Sequence, residues 1–430
     1  MDMESGDVNI IVQSLLDCVG EESNITNAIS PSIYMAPSTL RNLSPTSFQP
    51  RVVSIGPLHR ADENLQLFEG RKAVYVQSLW RRSKLYQEGQ TFTQMLTTCV
   101  QKVAGSIEKI KACYADKRSY NDIELATMMV MDASFILQFI CSGLDDSGSN
   151  KLRDSYVPYD LVLLENQIPF FVLNDVFECT ISKFEKDQSL TEFIRPLLKY
   201  TNLIEGKLKL GSHTNYDHIL GCLHRCYKPK SDIRSHFPRS TIHSAVELDR
   251  AGVKFKPNEV VGWPLAMEVN IYRCSCIFWF LSKPTFRMPT LRINHFTELV
   301  FRNLIAYEQL SMVQPYVTSY ARAMDMLIDT HEDIVKLVTS KVIVNHLGSN
   351  EEAANMINKI CKEVVWEKFF YGKEWKKLDN HFNGYWPRKI VKLSRTYFSS
   401  PWNIIALFAG IVLFALAVVQ TIFTVKSTGN

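Results

Sequence analysis

The chain has 430 residues, 46% of them hydrophobic and 21% charged, enough apolar material for one large core or two medium ones. Lys and Arg number 48 against 44 Asp and Glu, so no sequence-wide basic field favours nucleic acid. The opening MDMESGDVNI is acidic and has no cationic start feeding an apolar stretch, so it does not read as a secretory signal or transit peptide.

Ten cysteines scatter from Cys18 to Cys361, which in a long chain without such a signal reads as reduced thiols in a cytosolic environment. The sequons at Asn24 and Asn42 are then chance matches.

Residues 1–32 form an N-terminal segment with a short amphipathic stripe, Val8, Ile11, Val12 and Leu15. Residues 33–400 read as one soluble, mainly α body with a small antiparallel β element around 252–295, an α+β composition. Within it, VSIGPLHR places Gly56-Pro57 in a turn followed by His59 and Arg60. Such a turn either holds an anion or is a plain tight connection, and the second is the expectation. Phe92, Met95, Leu96, Cys99, Val103, Ile107 and Ile110 keep helical spacing over five turns. Asn121 followed by Glu124 opens the next helix, ELATMMVMDASFILQFI, and polar loops are expected at 142–155 and 227–241.

The run LVLLENQIPFF, Leu161–Phe171, is apolar except for Glu165, Asn166 and Gln167 ahead of Pro169. Read as a helix, it has a proline that orphans the carbonyl of residue 165, and the polar triplet mends that break in a kinked core helix. The alternative pairs Glu165 with Asp132, alone on an apolar face, as catalytic carboxylates. Downstream, HTNYDHILGCLHRCY offers His213, His218, Cys222, His224 and Cys226. Of these, His218, Cys222 and Cys226 fall four apart on one helical face, a geometry able to ligate zinc. Without a CxxC pair or a second cluster, buried structural residues are the expectation, and no cofactor or metal is called for.

Runs VKFKP, MEVNI, CSCIFWF (with Cys274 and Cys276) and LRI, broken by Pro264, Pro284 and Pro289, predict the small sheet. Thr330 with Asp333 and Ser349 with Glu352 start two further helices, with Gly348 as the stop between them. Residues 404–425, IIALFAGIVLFALAVVQTIFTV, carry no charge, and 22 residues at ~1.5 Å each give about 33 Å, enough to cross a bilayer core. Trp402 lies where an interfacial aromatic belt would sit, and Ile404 and Val425 bound the span. Arg388, Lys389, Lys392 and Arg395 precede it with no acidic residue between 381 and 400, and only Lys426 follows. The expectation is therefore a single-pass, tail-anchored protein, its bulk cytosolic and the tail 426–430 across the membrane, with the membrane itself unspecified.

Four ordered stretches, VSIGPLHR, MMVMDASFILQFI, DLVLLENQIPFFVL and FRNLIAYEQ, resemble the plant domain-of-unknown-function 247 family. ELDRAGVKFK and the terminal YFSSPW reinforce the likeness, which runs from about residue 33 to 425. The sequence departs from the family's usual wording at Ala133-Ser134 and at Gln138. The resemblance implies a helical body with a C-terminal span and brings no enzyme activity. Some relatives are associated with grass self-incompatibility as pollen recognition components.

No glycine-rich phosphate loop, GxSxG elbow or HExxH occurs. The expected function is a membrane-tethered interaction, signalling or recognition module whose partners are the bilayer, through 404–425, and another protein. The alternatives are a membrane-associated hydrolase or metal enzyme, and a scaffold that associates with copies of itself.

Overall fold

The computed structural model describes residues 30–428 apart from 86–90, 117–119, 144–153, 184, 186, 207, 209, 211–215, 236–242, 259–261, 272–283 and 384–400. The stripe Val8–Leu15, His213 and the Cys274–Phe280 run lie outside the described residues. The chain divides into two compact units. The first takes in the described residues of Met1–Lys228, His295–Thr318 and Glu363–Val365, and the second those of Pro229–Asn294, Ser319–Lys362 and Trp366–Asn430. Helices of eight residues or more are numbered below.

In the first unit, α1 (Glu63–Leu85), α2 (Phe92–Ala104) and α4 (Phe170–Cys179) all pack on α3 (Asp122–Ser142). Asn121 and Glu124 close a reciprocal capping box at the start of α3, as their spacing predicts. By length and composition α3 could cross a membrane, yet 78% of its most apolar window is buried inside the protein. Its neighbours clothe it on every side, so it is the central core helix. The apolar periodicity expected to run unbroken from Phe92 to Ile110 is carried by two helices, Phe92–Ala104 and Ile107–Ala112. The break falls at Gly105-Ser106, where glycine's low helix propensity lets the chain turn while the hydrophobic period continues. The unit is completed by α5 (Ile219–Cys226), α6 (Thr297–Leu310) and the first turn of α7 (Tyr316–Leu327).

In the second unit, β1 (Lys254–Pro257), β2 (Glu268–Asn270) and β3 (Thr285–Met288) form a sheet in the order β1-β3-β2, and β4 (Leu291–Ile293) pairs with β5 (Ile343–Asn345). The sheet is mixed where an antiparallel one was expected: β2 runs antiparallel to β3, but β1–β3 and β4–β5 are parallel. Parallel pairing needs long crossovers that period-two alternation does not reveal. Val269, Phe255 and Phe286 share the buried face, and the Phe286 ring meets Trp375 of α10 (Gly372–Phe382) edge-on at 5.7 Å. Helices α8 (His331–Thr339) and α9 (Asn350–Ile360) pack together, each started by the cap its sequence announces, at Thr330 and Ser349. Last in the chain, α11 spans Pro401–Thr428 as one uninterrupted helix.

Candidate functional site

The polar triplet sits on irregular backbone. Residues 161–168 are turns and coil, and Pro169 (φ −58°, ψ 137°) stands at the N-cap of α4, so the expected kinked helix does not exist. Proline disfavours helical geometry in the residue before it, and its missing N–H costs nothing at a helix start. What needs repair is instead a buried stretch whose peptide groups have no ladder. Asn166 accepts from the Ile55 N–H at 2.7 Å and donates to the carbonyls of Val53 and Asp160. Gln167 donates to the carbonyls of Leu161 and Leu163 and accepts from the Leu220 N–H in α5. From α6, Asn303 accepts from Leu164 and donates to the Ser47 carbonyl. Asp160 takes the N–H groups of Arg51, Val52 and Val53. Burial, only partly offset by those three bonds, raises its pKa to about 6.

The two carboxylates singled out for chemistry are both fully buried and both saturated. Asp132 accepts from Lys72 Nζ at 2.6 Å, Gly56 N at 2.8 Å and Arg60 Nη1 at 3.4 Å. Glu165 accepts from Ala36 N and Arg41 Nη2, both at 2.8 Å, and meets His59 Nε2 at 2.8 Å. They share none of these partners. The basic side chains of SIGPLHR are thus spent on internal carboxylates: His59 on Glu165, Arg60 on Asp132 and Glu69. Gly56 has φ +73°, and a Cβ there would lie 2.6 Å from the Gln167 carbonyl oxygen. Only glycine permits both the left-handed turn and that close approach. Pro57 follows directly and leads the chain to His59. The four stretches that carry the family likeness therefore converge on one buried hydrogen-bond network that fixes irregular backbone.

His218, Cys222 and Cys226 also meet internal partners. His218 is the N-cap of α5: its Nδ1 accepts from the Gly221 N–H and its Nε2 bonds the Ser32 carbonyl at 3.0 Å, so both ring nitrogens are used. Burial lowers its pKa to about 4, with Asp217 opposing the shift. The Cys226 thiol donates to the Cys222 carbonyl, and burial raises the pKa of both thiols, that of Cys226 to about 12. Among the described residues, no three His, Cys, Asp or Glu side chains are grouped as a metal ion would need.

One concave feature lies apart from the network. A cleft of about 340 Å³ opens between the C-terminal half of α5, Tyr307 of α6 and the loop 311–315 ahead of α7. Its wall is an aromatic file: Tyr307 meets His218 and His224 edge-on at 5.1 and 5.4 Å, and His224 stacks on Tyr316 at 6.3 Å. The file is fixed from behind. Tyr307 donates to Asp217, and His224 bonds Glu308 at 2.7 Å, whose carboxylate also receives the Val317 and Thr318 N–H groups at the start of α7. At the rim Arg225 and Lys228 are exposed and have no carboxylate partner among the described residues, and Met312 stands fully exposed. In the sequence His224 stands beside the zinc candidates His218, Cys222 and Cys226, and nothing there marks Tyr307, Glu308 or Tyr316. A glutamate five residues after a core asparagine is the only local hint, and its partners lie in other elements.

These features define a class: a mainly helical protein whose irregular core segment is pinned by side-chain amides and paired buried charges, with a polar cleft among its described residues. The family model for plant proteins of unknown function, DUF247, matches residues 33–416, and the chain belongs to that family. It is similar to the UPF0481 protein At3g47200 of Arabidopsis thaliana, 26% identical over 97% of this chain and 89% of that protein. A second UPF0481 protein of that plant, At3g02645, is 24% identical over 97% of this chain and 94% of its own length. No solved structure matches the chain.

Proposed function

We propose that the protein is a membrane-tethered interaction module, held to a bilayer by α11 and engaging a partner protein through its folded body. The observation that carries this is the surface of α11. Its described large apolar side chains, among them Ile405, Leu413, Phe414, Leu416 and Ile422, are 42–73% exposed, where most of those of the apolar α3 are buried. A contiguous apolar surface of that length requires cover, and the uncharged run 404–425 at about 33 Å matches a hydrocarbon core. The four cations between 388 and 395 favour the body on the cytosolic side.

The cleft supports the partner half of the reading. Its fixed aromatic wall and two uncommitted cations suit a carboxylate carried on an apolar body, such as an acidic side chain or chain end of another protein. The enzyme reading gains no such support, since Asp132 and Glu165 are spent on structure.

Three measurements test the proposal. Carbonate washing should leave the full chain with membranes, and protease outside sealed vesicles should digest the body. Release by carbonate, or a protected body, overturns the tether. In detergent, a partner that co-purifies with the wild type should be lost from Arg225→Glu/Lys228→Glu; undiminished recovery overturns the assignment to the cleft. Recovery of the chain's own copies alone identifies self-association.

A further inference from the structure

Seven cysteines lie among the described residues, all as free thiols. Two of them meet. The side chains of Cys99 on α2 and Cys179, the last residue of α4, are hydrogen-bond neighbours. Helices α2 and α4 lie side by side. One turn beyond Cys99, Lys102 crosses to Glu178 at 2.7 Å and to Asp175 at 3.6 Å, residues adjacent to Cys179 and one turn before it. That clamp holds the helices in the register that brings the two sulfurs together. The pair is asymmetric: Cys99 is wholly buried, whereas Cys179 is half-buried and reachable from solvent.

We propose that Cys99 and Cys179 form an oxidation site for peroxide, at which Cys179 reacts first and Cys99 resolves the product into an intramolecular disulfide. The Cys179 thiolate attacks one peroxide oxygen. An S–O bond forms, the O–O bond breaks, and the departing hydroxide takes up a proton to become water. Cys179 is then a sulfenic acid, oxidised by two electrons. The Cys99 sulfur attacks the Cys179 sulfur, the S–S bond forms, and the hydroxyl leaves with the Cys99 proton as a second water. Two thiols and one peroxide give one disulfide and two waters.

The chemistry of the pair fits these roles. The bond from Cys99 is the main influence on Cys179 and pulls its thiol down to about 7 against the effect of burial, with Lys102 and Lys183 assisting. Donating that bond, together with burial, drives the Cys99 thiol far upward, so it stays protonated until attack. Burial raises the other thiols with resolved shifts: Cys113 to about 11, Cys226 to about 12, and Cys141 and Cys222 upward. At pH 7 a thiol held down in this way is more ionised than the thiols that burial raises.

The test uses the full chain in detergent, treated with one equivalent of hydrogen peroxide at pH 7, then alkylated after denaturation and mapped without reduction. The expected result is a Cys99–Cys179 cross-linked peptide as the main product, abolished by dithiothreitol, with Cys141 oxidised more slowly. In Cys99→Ser, the cross-link disappears and dimedone traps Cys179 as the sulfenic acid. In Cys179→Ser, Cys99 stays unmodified. Because the wild-type map needs no variant, a substitution that fails to fold does not blunt the test. Oxidation spread evenly over the cysteines, or a Cys179 sulfenic acid that persists in the wild type, overturns the proposal.

Discussion

Lys72→Met isolates the strongest link in the buried network. Lys72 is completely enclosed, and its ammonium bonds Asp132 at 2.6 Å, Glu69 at 2.8 Å and the Ser54 carbonyl. Methionine fills nearly the same volume, so the change removes charge and donors with little loss of packing. Asp132 keeps the Gly56 N–H on one oxygen, and on the other only Arg60 at 3.4 Å, itself shared with Glu69. Removing one partner of a buried pair costs about 3–5 kcal/mol. A shift of Arg60 toward contact recovers part of that, so a loss of about 3 kcal/mol is expected. For a unit of roughly 250 residues this lowers the melting temperature by about 6 °C. Asp132→Asn in the same background removes the stranded charge and still accepts from Gly56. The double variant should therefore recover about 1–2 kcal/mol relative to the sum of the single changes. Thermal unfolding by circular dichroism reads all three. A Lys72→Met loss below about 1 kcal/mol, or additivity within about 0.5 kcal/mol, would refute the view that this pair anchors α1 to α3.

Gly56→Ala puts a Cβ 2.6 Å from the Gln167 carbonyl at φ +73° and should cost at least about 3 kcal/mol; a wild-type urea midpoint would contradict it. Asn166→Ala strands one N–H and two carbonyls and should cost about 3 kcal/mol or more, with hydrogen-exchange protection lost at the Ile55 amide. His218 has a folded pKa near 4 against 6.5 unfolded, so as pH falls through 6.5 to 4 the unfolded chain takes the proton first and stability is lost. Because asparagine also caps helices, His218→Asn should remove about 3 kcal/mol of that acid loss. The measurement is the difference between variant and wild-type stability profiles, in which the opposite contribution of Asp160 cancels. A difference that stays constant from pH 7 to 4 would show that His218 is not held neutral.

Local chemistry was legible and distant pairing was not. Asn121 with Glu124, Thr330 with Asp333 and Ser349 with Glu352 announce helix starts because each cap closes within one turn. Leu161–Pro169 misled because its apolar run carries helical spacing, while the groups that hold it irregular, Val53, Ile55 and Ala36, lie more than 100 residues away. Lys72 gave no sign of burial, since its partner sits in another helix. The comparison of α3 with α11 shows what a more careful reading could use. Both are long and apolar, and hydropathy alone treats them alike. A lone carboxylate amid the apolar residues of α3 is expensive in any apolar medium and must be met by a cation from elsewhere, which Lys72 supplies from a packed neighbour. Such a residue therefore implies a protein environment around the helix. From 401 to 425, α11 has no ionisable side chain and makes no such demand. Under the proposed tether, an unpaired charge placed there, at Leu413 for instance, would have nothing to meet it, and the chain should then be released from carbonate-washed membranes.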